Sequence, residues 1–211
     1  MSSDPFGDAL PGAAPTPMTL GEEILLLSLD DTTGEARLPL RTPYAIAAAA
    51  LLERSLAGDD AVLPEDAETW IRANSTREYE TALRGLLKKD LIREEKRRVL
   101  LVFRTTRYPE ADGTVESALR GRLTEVVLTN AEPDPRTAAL ISLLHHADLH
   151  TLAFPDAGSD DSPAKRRMTE IAAHHWADPA LRRMAETATA AAAALTAATM
   201  MTTVVVVAAA T

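Results

Sequence analysis

Residues 75–107 read STREYETALRGLLKKDLIREEKRRVLLVFRTTR. Tyr79, Leu83, Leu86 and Leu87 recur at three- and four-residue intervals, so residues 75–89 are expected to form a helix with one apolar face. The helical period then stops. Leu91-Ile92, the charged run 93–98 and the apolar run 99–103 suggest a β-hairpin whose tip is ionic. One hairpin inside a chain otherwise full of helical patterns points to a mainly α fold: a compact multi-helix domain with a small β-hairpin component.

The same reading extends outward in both directions. Residues 1–17 hold four Pro and two Gly, carry no Lys or Arg and show no apolar period, which reads as a flexible lead-in and not as a secretory signal. Thr19 and Glu22 have capping-box spacing ahead of a short Leu-rich helix, 22–29. Asp30, Asp31 and Gly34 suggest a turn, and residues 36–40 an extended segment. Thr42 and Pro43 read as an N-cap and first helical position for a helix over 44–56 that Gly58 stops. A short strand at 60–63 and a short helix over 65–73, around Trp70, precede the opening stretch. Beyond it, a loop at 108–113 leads to helices over 115–127 and, after Pro133 and Pro135, 136–149. A loop at 154–163 and helices over 165–175 and 179–201 complete the pattern. The expected organisation is a lead-in (1–17), one helical domain (18–200) and an apolar tail (201–211).

Composition agrees with a single globular domain. The 211 residues are 46% hydrophobic and 25% charged, with 4% aromatic residues and 39 alanines, so the core is expected to be Leu, Val and Ala on closely packed helices. The absence of cysteine excludes disulfides, cysteine zinc sites and thiol catalysis. The uncharged run 187–211 is long enough to cross a bilayer, but it is chiefly Ala and Thr, whose insertion energies are weak. A buried C-terminal helix with a frayed end is the expectation there.

Net charge is −9, which alone argues against phosphate-bearing partners. Residues 84–107 nevertheless carry nine basic side chains against three acidic ones, so this segment is +6 and the remainder −15. Over a Debye length of about 8–10 Å only the local charge is felt. The segment therefore reads either as a docking face for phosphates or as a hairpin edge protected by charge from pairing with other chains.

Catalytic signals are lacking. His146 and His150 have the i,i+4 spacing that can chelate zinc, with His145 beside them, yet Ala147 stands where zinc peptidases place a glutamate. Hydrogen bonding is the simpler role for these histidines, as for His174 and His175 at a helix end. No glycine-rich phosphate loop occurs, and Ser28, Ser55 and Ser142 lack a GxSxG setting. No catalytic residue, metal site or cofactor is expected.

Four segments, taken in order, resemble the Golgi phosphoprotein 3 family. These are TLGEEILLLSLDDTTGEARL (19–38), LLERSLAGDDAVLPED (51–66), LLKKDLIREEKRRVLLVFRTTRYPEAD (86–112) and PRTAALISLLHHADLHTLAF (135–154). The resemblance implies that family's mainly helical fold and a non-catalytic, peripheral membrane protein. Its eukaryotic members bind phosphatidylinositol 4-phosphate on Golgi membranes and retain glycosyltransferases by their cytoplasmic tails. It implies phosphoinositide or another anionic lipid as partner, protein client tails, and a cytoplasmic, membrane-associated location, the Golgi only in a eukaryote. The alanine-rich, cysteine-free composition suggests a bacterial member. The family's lipid-pocket tryptophan and arginines align with Leu38, Ala47, Glu132 and Pro135, so none is kept. Arg37, Leu38, Arg41 and Arg136 are the candidate lipid-binding residues nearby. Lys88, Lys89, Arg93, Lys96, Arg97 and Arg98 are the candidate anionic-surface patch. The family's oligomerising hydrophobic hairpin would fall near residues 154–164, here short and acidic. The competing reading is a winged-helix-like module that binds nucleic acid through residues 84–107.

Overall fold

A computed structural model describes residues 17–30, 33–56, 67–99, 103–111, 113–159 and 161–174. The expected lead-in up to residue 16, strand at 60–63, helix over 179–201 and apolar tail lie outside these residues, as do Gly58 and His175. Among the described residues, seven helices and one two-stranded antiparallel sheet follow in order: α1 (Leu20–Ser28), α2 (Thr42–Leu56), α3 (Ala67–Lys88), β1 (Glu95–Val99), β2 (Phe103–Arg107), α4 (Thr114–Leu128), α5 (Pro135–His146), α6 (His150–Ala153) and α7 (Pro163–His174). The fold is mainly α, as the periodicity implied.

The centre of the molecule is α1, every residue of which is buried. A helix that is apolar almost all round has no face to offer water and must be enclosed. It packs on α2 and α3 and touches α4, α5 and α6. The capping box forms as expected: the Glu22 amide donates to Thr19 Oγ1 (3.1 Å) and the Thr19 amide to Glu22 Oε2 (2.7 Å). These bonds satisfy amides that the first helical turn leaves free.

Several expected boundaries are corrected. Residues 36–40 are not extended; beyond one bridge between Leu29 and Ala36 the chain bends and turns. Thr42 is not the N-cap of α2 but its first residue, and its hydroxyl donates backward to Leu38 O (3.1 Å). The two helices expected over 65–73 and 75–89 are one helix, α3. Asn74 and Ser75 turn their side chains back onto the carbonyls of Trp70 and Arg72, so neither offers the backbone an exit.

The helix expected over 136–149 stops at His146. Asp148 adopts φ +53°, its amide donates to His145 O and that of Leu149 to Leu144 O, which is a Schellman ending with aspartate where glycine is usual. His146 and His150 therefore lie on different helices. The described residues of 154–164 carry no hairpin: Pro155–Gly158 is a 3-10 turn and Pro163 opens α7.

The hairpin exists, but its tip is elsewhere. Register pairs Glu95 with Arg107, Lys96 with Thr106, Arg97 with Thr105, Arg98 with Arg104 and Val99 with Phe103. The charged run is thus the first strand, which reaches Val99, and its partner opens at Phe103. The base sets this register. Buried Ile92 bridges Glu110, and Arg93 N–H to Pro109 O and Ala111 N–H to Leu91 O continue the same pairing.

Candidate anionic-surface interface

Asp90 (φ +55°) ends α3 in the same Schellman geometry as Asp148 ends α5, with Leu91 N–H on Leu86 O and Asp90 N–H on Leu87 O. That reversal sends the chain directly into the hairpin, so the end of α3 and the ribbon form one continuous basic arm. The arm sorts its charges into two groups. Lys89 turns inward, its Nζ 2.6 Å from both carboxylate oxygens of Glu22, which is 4% exposed. Gly85 makes room for this pair, because a Cβ there would collide with the Glu22 carboxylate. Arg107 likewise reaches a partner, Glu35 Oε1, at 2.9 Å. These two cations hold the arm to the body.

The side chains of Lys88 and Arg93, by contrast, are exposed and meet no hydrogen-bond or ion-pair partner among the described residues. Lys96 is exposed and, among the described residues, meets Glu94 at 3.3 Å. Arg97 and Arg98 occupy central positions of β1 between them and the connection, with Arg98 directly opposite Arg104. Of the six expected patch residues, Lys88, Arg93 and Lys96 are exposed on the arm, Arg97 and Arg98 hold strand positions in β1, and Lys89 belongs to the interior.

The other four candidates do not converge. Arg37 and Arg41 staple the α1–α2 turn. Arg37 donates from Nη2 to Leu27 O (2.8 Å), a carbonyl in the last turn of α1, where a cation also suits the helix dipole. Arg41 donates to the carboxylate of Asp148 and to its backbone oxygen (3.2 Å). Arg136 sits at the other end of α1, donating to Met18 O (2.6 Å) and Glu53 Oε1 (3.2 Å), with Glu23 Oε1 3.6 Å from its Nε. The nine residues of α1 separate the two groups by about 13 Å at 1.5 Å per residue. Of the aligned pocket positions, Ala47 is fully buried and Glu132 and Pro135 lie exposed near the start of α5.

Sequence reasoning missed Leu40, which is 53% exposed beside Leu38 at 37%. The available signal was an apolar pair split by proline between two arginines, which no buried helix or strand pattern accommodates.

The histidines gather where α5 ends. His145 and His146 rings are 5.2 Å apart, and His150 Nδ1 is 3.3 Å from Asp148 Oδ1. No group of three or more His, Asp or Glu placed to hold a metal ion occurs among the described residues. Burial pushes the His145 imidazole down from its ordinary value, helped by His146, His150 and Lys165, while Asp148 opposes. A folded value below the unfolded one means that the unfolded chain takes up the proton first. Stability from this group is therefore complete above about pH 6.5 and drains away as pH falls below it. Thermal midpoints measured from pH 7.5 to 5 are expected to decline over this range, and His145→Gln to flatten the decline.

The geometry defines a mainly α-helical domain built round one buried helix and carrying a cationic β-ribbon. The family model for Golgi phosphoprotein 3 (GPP34) matches residues 59–188, and the chain belongs to that family. The matched stretch contains the whole basic arm and all helices from α3 onward; α1 and α2 precede it. No curated protein matches the chain. Among the described residues no helix is long and apolar enough to cross a membrane.

Proposed function

We propose that this protein is a non-catalytic adaptor that docks peripherally on membranes by binding anionic headgroups, phosphatidylinositol 4-phosphate or another phosphate-bearing lipid. The observation that carries the reading is the division of the basic arm. Two cations are consumed in fixing it to the body, while Lys88, Arg93 and Lys96 stand outward on it beside the strand positions of Arg97 and Arg98. In a chain of net charge −9, such a segment is attracted to an anionic surface while the acidic body is repelled. Family membership supports the same reading. Protein clients would then meet a domain already held at the membrane, on its cytoplasmic side.

The test is co-sedimentation of the whole protein with vesicles of phosphatidylcholine alone, with phosphatidylserine added, and with phosphatidylinositol 4-phosphate added. Binding is expected only with anionic lipid and is expected to fall steeply between 0.1 M and 1 M salt, as the Debye length shrinks from about 10 to 3 Å. Equal binding to neutral vesicles overturns the reading. Random-sequence duplex DNA provides the comparison anion, and retention on DNA without retention on vesicles moves the arm to nucleic acid.

A further inference from the structure

The turn between α1 and α2 presents Leu38-Pro39-Leu40 to solvent, with Leu38 and Leu40 37% and 53% exposed. Scattered exposed leucines are ordinary; two within three residues, framed by arginines, are not scatter. Leu38 also holds φ +50°, a left-handed conformation that crowds a leucine Cβ against the following carbonyl. The fold retains this conformation with three donors on one oxygen: Arg41 N–H (3.0 Å), Thr42 N–H (3.2 Å) and Thr42 Oγ1 (3.1 Å) all reach Leu38 O. The ends are stapled as well, Arg37 to Leu27 O and Arg41 to Asp148. A strained turn that is fixed so thoroughly, and that turns its leucines outward instead of collapsing them, is preorganised for an apolar partner.

Its position identifies the partner. Four residues upstream, Gly34 O accepts from Tyr108 N–H (2.9 Å), and Glu35 pairs with Arg107 at 2.9 Å. Gly34 has φ +63°, and a Cβ there would lie within 2.8 Å of Tyr108 and Pro109 backbone atoms, so the turn and the foot of the hairpin are in close contact. The segment that leads into the apolar tip therefore meets the root of the cationic arm, four residues before Leu38. We infer that Leu38-Pro39-Leu40 is a wedge that enters the headgroup and upper acyl region of an anionic bilayer while the neighbouring arm neutralises the headgroups around it. This rests on the membrane reading above, and adds to it a point of insertion and an apolar component that salt does not screen.

The cysteine-free chain allows a direct test. Leu40→Cys creates a unique thiol for an environment-sensitive fluorophore. Thr124→Cys, exposed on α4 next to Arg122, which pairs with Glu23 in the first turn of α1, is the control position. With phosphatidylcholine–phosphatidylserine vesicles, the label at 40 is expected to shift to the blue and to be quenched by shallow spin-labelled lipid, and the label at 124 to remain unchanged. Leu40→Ser alone, and Leu38→Ser with Leu40→Ser, are expected to weaken vesicle binding by roughly tenfold or more. They are also expected to leave a salt-resistant residue of binding smaller than in the unaltered protein. If the unaltered protein binds these vesicles but the label at 40 is silent and both serine variants bind equally well, the wedge is overturned and the membrane reading stands. If the unaltered protein binds no anionic vesicle, both fall together.

Discussion

Replacing Arg93, Lys96, Arg97 and Arg98 together by glutamine is expected to weaken binding to phosphatidylserine-containing vesicles by roughly a thousandfold. A Lys or Arg close to an anionic leaflet contributes about 1 kcal/mol, so four contribute about 4 kcal/mol, and each 1.4 kcal/mol is a factor of ten. The fold is expected to survive the change. The β1–β2 ladder is a backbone structure, and Arg93 and Lys96 are exposed, with only the 3.3 Å approach of Lys96 to Glu94 to lose. A surface ion pair of that kind contributes about 0–1 kcal/mol. Vesicle co-sedimentation beside a circular-dichroism melt measures both quantities. Undiminished binding by the well-folded variant removes the arm as the docking surface.

Glu22→Ala tests the opposite half of the same charge division and is expected to be the most destabilising single change discussed. The Glu22 carboxylate serves three ends at once: it caps the Thr19 amide, neutralises Lys89 and anchors the end of α3 to the middle of the core. Removing it leaves an ammonium group half-buried and unpaired, a situation that costs about 3–5 kcal/mol when one partner of a buried pair is deleted. For a domain of this size each kcal/mol shifts the melting midpoint by about 2–4 °C, so a fall of roughly 10 °C is expected. Lys89→Met is expected to approach the same loss, because it strands the carboxylate instead. The double variant Glu22→Leu with Lys89→Met is expected to recover part of it, since no charge then remains buried. Melting curves of the unaltered protein, Glu22→Leu, Lys89→Met and the double variant form the cycle; strictly additive losses would show that the pair is not coupled.

The sequence made some of this legible and not the rest, and the reasons are physical. Thr19 and Glu22 announced the start of α1 because a capping box is a local device, complete within four residues. Helices α4 and α7 lie within two residues of the periods that implied them. The ends of α3 and α5 were misplaced, or explained without their turn, because Asp90 and Asp148 take a left-handed conformation in which glycine is the usual signal. The hairpin was recognisable from its apolar runs, but its tip depends on pairing that begins at Ile92 and Glu110, beyond the charged stretch that resembled a turn. Lys88 and Lys89 are neighbours of one residue type. Only the approach of α1 tells them apart, by bringing Glu22 to one and not to the other. The same helix, by its length alone, parts Arg136 from Arg37 and Arg41, a separation in space that no local pattern announces.

The enclosure of α1 also has a meaning in time. Ribosomes deliver this helix before the partners that will surround it: Met18 O waits for Arg136, 118 residues later, and Arg41 for Asp148, 107 residues later. Nine residues are too few to hold a helix in water unaided. The segment LGEEILLLS can shelter first against α2 and α3, the next two helices, but its enclosure by α4, α5 and α6 is a long-range event of the kind that slows folding. The stretch that family comparison delimits, opening at residue 59, is accordingly a boundary of likeness and not of folding: cut there, the remaining helices would close around a vacancy.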